Sequence, residues 1–363
     1  MVLKNEMIEM SAEKKILLIY TGGTIGSVHD PMTGSLVPID FSQITRHVPE
    51  LNRAGISIDS VSFQPPIDSS NVTPMHWRKI AGVVMKKHEL YDGFVVLHGT
   101  DTMSYTASAL SFMLEGLRKP VIITGSQLPI GMPRTDGREN LLSAVMLAAH
   151  PNPENPDSNR SQWGESTIQE VAVYFGNQLF RGNRTHKESA ESLNAIISPN
   201  FPALVDAGVG FKVRKHNLYR APKGALTLHD HFESKVAWFP IFPGMSFDVF
   251  ERILDWDELR GVVLGTFGSG NIPDNKQFKN LLDLAQKRGV SIVNVTQCGH
   301  GGVVHERYAT SLLLSDCGVI SGGDMTTEAA IIKLMMLLGE SDDLSLIRDH
   351  ILKDLRGERT ILE

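Results

Sequence analysis

Lys15-Ile16-Leu17-Leu18-Ile19-Tyr20-Thr21-Gly22-Gly23-Thr24-Ile25-Gly26 sets the reading of the whole chain. Its apolar half is too short to span a membrane and has the length of a strand buried on both faces, as in a parallel sheet. The strand then stops at Thr-Gly-Gly-Thr. Paired glycines open backbone angles closed to other residues and let a ligand approach the main chain. In an open α/β sheet, ligands bind beyond the carboxyl ends of the strands, so Thr24 stands on a bare turn where a substrate would lie. That makes Thr24 a candidate nucleophile, although many such turns only reverse the chain. Gly22, Gly23 and Gly26 match neither the Gly-Lys-Ser/Thr phosphate loop nor the G-x-G-x-x-G dinucleotide spacing.

The same ending recurs twice. Gly93-Phe94-Val95-Val96-Leu97 leads into His98-Gly99-Thr100-Asp101-Thr102-Met103, and Pro120-Val121-Ile122-Ile123-Thr124 leads into Gly125-Ser126-Gln127. Such turns on different strands of one sheet can converge on one crevice. The first of them adds a carboxylate, Asp101, beside the Thr100 hydroxyl, although Asp101 or Thr102 also suits a plain helix N-cap. Earlier in the chain, Ile67-Asp68-Ser69-Ser70-Asn71 places an acid and two hydroxyls before a helix, where they cap it or bind the charged ends of an amino acid. Directly after the Thr24 turn, residues 27–38 are small and polar and include Pro31 and Pro38, a composition that suits a mobile lid or an ordinary loop.

Helical periodicity follows Thr102 as far as Gly116, and again after Asp136 through Leu141, Leu142, Val145, Met146 and Ala149. A further strand is expected from Val171 to Phe175. Beyond it, Arg181-Gly182-Asn183-Arg184-Thr185-His186-Lys187 gathers several cations near a glycine. Strands starting at Gly261 and Ser291 run into Gly265-Thr266-Phe267-Gly268-Ser269-Gly270-Asn271 and Thr296-Gln297-Cys298-Gly299, and a last clear helix starts at Thr327. The expected architecture is α/β in two domains. Residues 1–13 read as an extension, 14–210 as the larger N-terminal parallel-sheet catalytic domain, 211–234 as a polar linker with solvated histidines, and 235–363 as a smaller C-terminal α/β domain.

At 363 residues a two-domain chain with a large core is the natural expectation. The formal charge of -6 supplies no basic stripe for nucleic acid, and no cationic amphipathic helix suggests a membrane surface. The expected partner is a small molecule or another copy of the chain. Cys298 and Cys317 are too few for a disulfide framework and lack paired zinc-site spacing; as core residues they fit a reducing cytoplasm. Residues 1–13 have neither the apolar run nor the cleavage site of a secretory signal.

Strand-end threonines, an adjacent aspartate and a later lysine suggest nucleophilic hydrolysis of an amide. A threonine hydroxyl needs a neighbouring base, and the base needs an orienting group. A lysine acts as that base only if burial lowers its pKa, which a nearby aspartate opposes.

Thr21-Gly22-Gly23-Thr24-Ile25-Gly26, His98-Gly99-Thr100-Asp101-Thr102-Met103 and Gly182-Asn183-Arg184-Thr185 up to Lys187 together resemble the bacterial-type L-asparaginases, most closely the cytoplasmic type I branch. Gly125-Ser126-Gln127-Leu128-Pro129, Gly270-Asn271 and Gly323-Asp324-Met325-Thr326 extend the resemblance across both domains, from about Lys14 to Leu355. The resemblance implies that Thr24 attacks the side-chain amide carbon of asparagine and forms a β-aspartyl enzyme. It implies that Thr100, Asp101 and Lys187 move protons and orient water, and that Asp101 also holds the substrate ammonium. Asp68, Ser69 and Ser70 would bind the amino-acid end, Gly23 and Gly99 would present backbone to the substrate, and backbone N–H groups near Thr24 and Thr100 would stabilise the oxyanion. Asn271 would reach the site of a neighbouring subunit, which implies a homodimer or a dimer of dimers. No metal and no organic cofactor is implied.

The chain departs from that pattern in two places. No tyrosine lies between Thr21 and Leu90, where many relatives carry a lid tyrosine; Ser35 or Leu36 falls at the expected place, and Tyr308 is the candidate substitute. Cooperative relatives resemble one another in an arginine where this chain has Gly265 and a threonine where it has His186. The competing functions are an amidase acting on glutamine, an amidotransferase subunit feeding ammonia to tRNA-bound glutamate, a non-catalytic amino-acid sensor and a nucleotide-binding module.

Overall fold

β1, Lys14–Gly22, is the second strand from one edge of the larger sheet. The computed structural model describes residues 14–29, 36–38, 48–53, 55–149, 167–222, 224–304 and 309–361. β1 pairs in parallel with β2, Ile56–Ile67, on one side and with β3, Gly93–Leu97, on the other. Beyond β3 the sheet continues through β4, Val121–Thr124, and β5, Val171–Phe175, both parallel. It ends in the antiparallel strands β6, Gln178–Arg181, β7, Val205–Ala207, and β8, Phe211–Val213. The order is therefore β2-β1-β3-β4-β5-β6-β7-β8. Connections leave β1 toward β2 and then return to the far side of β1, so the strand order reverses between β1 and β3. Such a reversal opens a crevice at the carboxyl ends.

Alternation along the buried strands divides the core. Leu17 and Ile19 of β1, with Phe94 and Val96 of β3, pack under α1, Pro74–Lys87, and α2, Met103–Met113. Ile16 and Leu18, with Val95 and Leu97, pack under α3, Gly137–Ala149. The C-terminal sheet is parallel throughout, in the order β9, Val236–Pro240, β10, Gly261–Thr266, β11, Ser291–Thr296, and β12, Ile320–Ser321. One of its faces meets α4, Asp248–Leu254, and α5, Lys276–Lys287, over a cluster of Phe239, Phe247, Phe250 and Phe278. α6 spans Ala309–Asp316. On the opposite face, α7, Thr327–Glu340, joins Val263 and Val293 to the core that contains α2, so one apolar cluster is continuous between the two sheets. α8, Leu344–Leu352, packs on α7.

The two-domain α/β class expected from the strand endings is the one observed. Several details differ. Phe211–Val213, assigned to the linker by composition, is the outermost strand of the large sheet, and Thr227–Leu228 pairs with Leu114–Glu115. His229 is not solvated: its two ring nitrogens bridge Glu340 at 2.6 Å and Glu115 at 2.7 Å. Cys317 is buried as expected, but Cys298 is exposed.

Candidate active site

The Thr-Gly-Gly-Thr turn is shaped by contacts that no side chain at the glycines would permit. Gly22 lies opposite Ile67 of β2, and its φ of 135° is outside the range of ordinary residues. Gly23, at φ 91°, packs on Gly99: a Cβ there would stand 2.5 Å from the Gly99 nitrogen. Gly99 packs in turn on Ser69, whose Oγ would lie 2.5 Å from an added Cβ. Three strand ends are thereby pressed into one place. Thr21 Oγ1 donates to the Leu97 carbonyl at 2.8 Å, and Thr102 Oγ1 donates to the Ser69 carbonyl at 2.7 Å, so hydroxyls tie β1 to β3 and α2 to the end of β2. Thr102 occupies the N-cap position but uses its hydroxyl for that tie rather than as a cap.

The crevice so formed is a cleft of about 460 Å³. Gly23, Thr24, Asp68 and Ser69 line it together with Gly99, Thr100, Asp101 and Lys187. Lys187 arrives on the short strand His186–Lys187 and donates from Nζ to Thr100 Oγ1 at 2.9 Å and to Asp101 Oδ1 at 2.5 Å. The Thr100 hydroxyl points its own proton at Gln127 Oε1, 2.9 Å away. Gln127 is held by its amide, Nε2 to the Ala190 carbonyl at 3.1 Å, and by its backbone N–H, which Asp136 accepts at 3.0 Å. Among the described residues, no group hydrogen-bonds to the half-buried Thr24 hydroxyl. Directly after it, Ser27–His29 and Leu36–Pro38 pair antiparallel, so the stretch read as a lid is a β-hairpin at its base.

Ser70 is not on the cleft wall; its N–H donates to Asp68 Oδ1 at 3.0 Å, which makes Asp68 the cap of the turn Ser69–Asn71 as well as a cleft residue. Asn271 lies in the turn after β10, where its backbone pairs with Phe267, and it does not line the cleft of its own chain. Tyr308 and Ser35 lie outside the described residues. Gln127 and Tyr20 are among the lining residues that were not singled out from the sequence. Gln127 stands at the end of the third strand with a glycine ending, a signal that was present. Tyr20 sits beneath the turn and donates to the Gly26 carbonyl at 2.8 Å. Burial pushes its phenol up to about 12, so it stays protonated and committed to that carbonyl.

The cleft therefore sets the Thr24 hydroxyl on the same lining as a hydrogen-bonded hydroxyl, carboxylate and amine. The family model described as "Asparaginase, N-terminal" matches residues 15–219, and that described as "Glutaminase/Asparaginase C-terminal domain" matches residues 235–351. The chain belongs to the asparaginase family. It is 41% identical to L-asparaginase 1 of Escherichia coli K12, over 96% of this chain and 98% of that protein. It superposes on the crystal structure of L-asparaginase I from Vibrio cholerae with a TM-score of 0.85 and 38% identity, covering 96% of this chain and 100% of that one. It is also 39% identical to the human 60 kDa lysophospholipase, over 96% of this chain and 62% of that longer protein.

Within this asparaginase, Gly265 has a local cause. A Cβ there would stand 2.5 Å from the Trp238 ring, which fills the space above the end of β10. His186, next to Lys187, pairs through Nδ1 with Glu328 Oε1 at 2.8 Å, and that carboxylate raises the pKa of the imidazole.

Proposed function

We propose that this asparaginase hydrolyses L-asparagine to L-aspartate and ammonia through a covalent ester on Thr24. The observation that carries the reading is the cleft in which Thr24 shares a lining with the hydrogen-bonded Thr100, Asp101 and Lys187. Thr24 Oγ forms a bond to the amide carbon of the substrate as its hydroxyl proton is passed on toward the leaving nitrogen. The C–N bond breaks, the nitrogen takes up a proton, and ammonia leaves a β-aspartyl ester. Water then attacks that ester, giving a proton toward the Thr100–Lys187 pair, and the Thr24 hydroxyl is regenerated. Two displacements through a positioned nucleophile replace one difficult attack of water on an amide. Backbone N–H groups of the glycine turns stabilise the oxyanion in each.

Asp101 gives one oxygen to Lys187 and turns the other to the substrate ammonium, which Asp68 also faces, while Ser69 holds the carboxylate. The scheme uses no metal and no organic cofactor. Asn271 serves the cleft of a second copy, so the active form is a homodimer or a dimer of dimers. The cytoplasm is the proposed compartment, on the strength of two unpaired cysteines.

The test is steady-state ammonia release from asparagine and glutamine by wild type and Thr24→Ala, with mass spectrometry of quenched reactions. A loss of at least about 10³-fold in the variant is expected, as for removal of a covalent nucleophile, with an aspartyl adduct on Thr24 in the wild type. A near-normal rate for Thr24→Ala would move the nucleophile elsewhere, first to Thr100.

A further inference from the structure

Lys187 stands at the end of a segment whose preceding residues do not line the cleft. Arg181, Asn183, Arg184 and Thr185 are all buried, and cations of this length are rarely so unless fully engaged. Arg184 divides its guanidinium among three acceptors far along the chain. Nε donates to the Gly357 carbonyl at 2.7 Å, Nη1 to Asp324 Oδ2 at 2.8 Å and Nη2 to Thr360 Oγ1 at 3.3 Å. Asn183 Nδ2 donates to the Arg356 carbonyl at 3.0 Å, and Arg181 Nη1 reaches the Gly357 carbonyl at 3.3 Å. Most of these acceptors belong to one loop, residues 354–360, and Asp324 belongs to the turn that leads into α7.

That loop is itself held. The buried Glu358 carboxylate accepts from the N–H of Leu355 at 3.0 Å and of Arg356 at 2.7 Å, and it pairs with the buried Lys333 ammonium of α7. Asp324 accepts from the Thr360 N–H at 2.7 Å and from its hydroxyl at 2.6 Å, which closes the ring around Arg184. On the other side of Arg184 the chain has little freedom. Thr185 Oγ1 bonds back to the Gly182 carbonyl at 2.8 Å, His186 is paired to Glu328 of α7, and Lys187 follows at once.

We infer that Arg184 is a positioning residue for Lys187: the 354–360 loop and Asp324 hold the Gly182–Arg184 turn at the place from which Lys187 meets Thr100 and Asp101. The proton-handling group of the N-terminal cleft is thus set by a clamp that the C-terminal domain of the same chain supplies. The inference rests on the proposed role of Lys187. Its physical basis is that a misplacement of about 1 Å at a catalytic group costs about 10²-fold in rate even when its cause is remote.

Arg184→Lys tests it, because an ammonium keeps the charge but cannot serve three acceptors in a planar fork. Ammonia release gives kcat and KM, and labelling of Lys187 by an amine-reactive ester, read by mass spectrometry on the folded protein, reports the lysine without any turnover. The variant is expected to lose at least about 10-fold in kcat with KM changed by less than about 3-fold, the pattern of a misplaced group rather than a weakened binding site. Lys187 is expected to label several-fold faster. Phe278→Leu, which loosens the C-terminal core away from this clamp, is expected to lower stability and leave the labelling rate unchanged. If Arg184→Lys does not fold, Asp324→Asn is measured in the same way. Unchanged kcat and labelling in the clamp variant, or equal acceleration of labelling in Phe278→Leu, overturns the inference. Should the wild type release no ammonia from asparagine, the functional reading fails by itself, and the labelling comparison still decides whether Arg184 positions Lys187.

Discussion

Gly23 rests against Gly99 so closely that a Cβ on Gly23 would stand 2.5 Å from the Gly99 nitrogen and 2.6 Å from its Cα. This contact joins the ends of β1 and β3 where the strand order reverses, and it lets Thr24 and Thr100 share one cleft. Gly23→Ala is expected to lose about 1–3 kcal/mol of stability, from a side chain at positive φ and a clash with backbone that cannot swing away. Ammonia release is expected to fall by about 10²-fold or more, because the two turns must separate. Denaturant unfolding and the ammonia assay read the two effects; a stable, fully active variant would show that the turns have slack.

Gln127 accepts the Thr100 proton and is itself fixed at both ends. Gln127→Ala frees that hydroxyl to rotate while sparing every charged group in the cleft. A fall of about 10-fold in kcat is expected, at the low end of what a misdirected proton-transfer group costs. Lys187→Met, which removes the amine outright, is expected to cost more than Gln127→Ala; the reverse order would argue that Lys187 is only structural.

Tyr308→Phe checks the tyrosine proposed to replace the absent lid tyrosine. With Tyr20 engaged on Gly26 and held protonated, no other tyrosine among the described residues lines the cleft. A loss of about 10²-fold in kcat is expected if the Tyr308 oxygen takes the Thr24 proton as its own proton passes to the leaving nitrogen. Turnover within a few-fold of wild type would remove Tyr308 from the mechanism.

Asn271→Ala and Thr24→Ala, each expected to be nearly inactive alone, should complement when mixed as subunits. In a symmetric dimer whose sites draw Asn271 from the partner, random pairing restores about a quarter of the wild-type sites. No recovery in mixed dimers of demonstrated composition would place Asn271 outside the active site.

His98 supplies a pH dependence of stability. Its ring is buried with every polar atom used: Nδ1 faces the Gly99 carbonyl at 2.7 Å, and Nε2 faces Thr106 Oγ1 at 2.9 Å, which in turn accepts from Trp77 Nε1 at 3.0 Å. The Gly99 carbonyl can only accept, which places a proton on Nδ1. Burial lowers its pKa from 6.5 to about 4, so the unfolded chain takes up a proton before the folded one does. The contribution is complete above pH 6.5 and is lost as pH falls toward 4, amounting to about 3 kcal/mol. Chemical denaturation of wild type and His98→Gln between pH 7 and 5 should show a smaller loss in the variant; parallel curves would place the titration on another group.

Much of this architecture was legible because its signals are local. β1, β3, β4, β5, β10 and β11 are short apolar runs closed by glycine, and burial on both faces leaves such runs little choice of structure. β2 was missed because it lies at the sheet edge, where its alternate residues are polar and exposed. β8 and the pairing of Thr227–Leu228 were hidden in a polar stretch whose hydrogen bonds come from distant strands. Cys298 was misplaced in the core for a similar reason: a residue type prefers burial, but a turn beyond a strand end decides exposure.

From residues alone one could establish that glycine-threonine turns close several buried strands and that a lysine and an aspartate stand ready to join them, since each of these is a property of a few adjacent side chains. Only the folded chain decided that Lys187 meets Thr100 across 87 residues of sequence, that Gln127 accepts the hydrogen bond of the Thr100 hydroxyl, and that Arg184 is gripped by a loop 173 residues away. Those contacts depend on strand order, register and the docking of one sheet on another, and no local pattern of residue types encodes them.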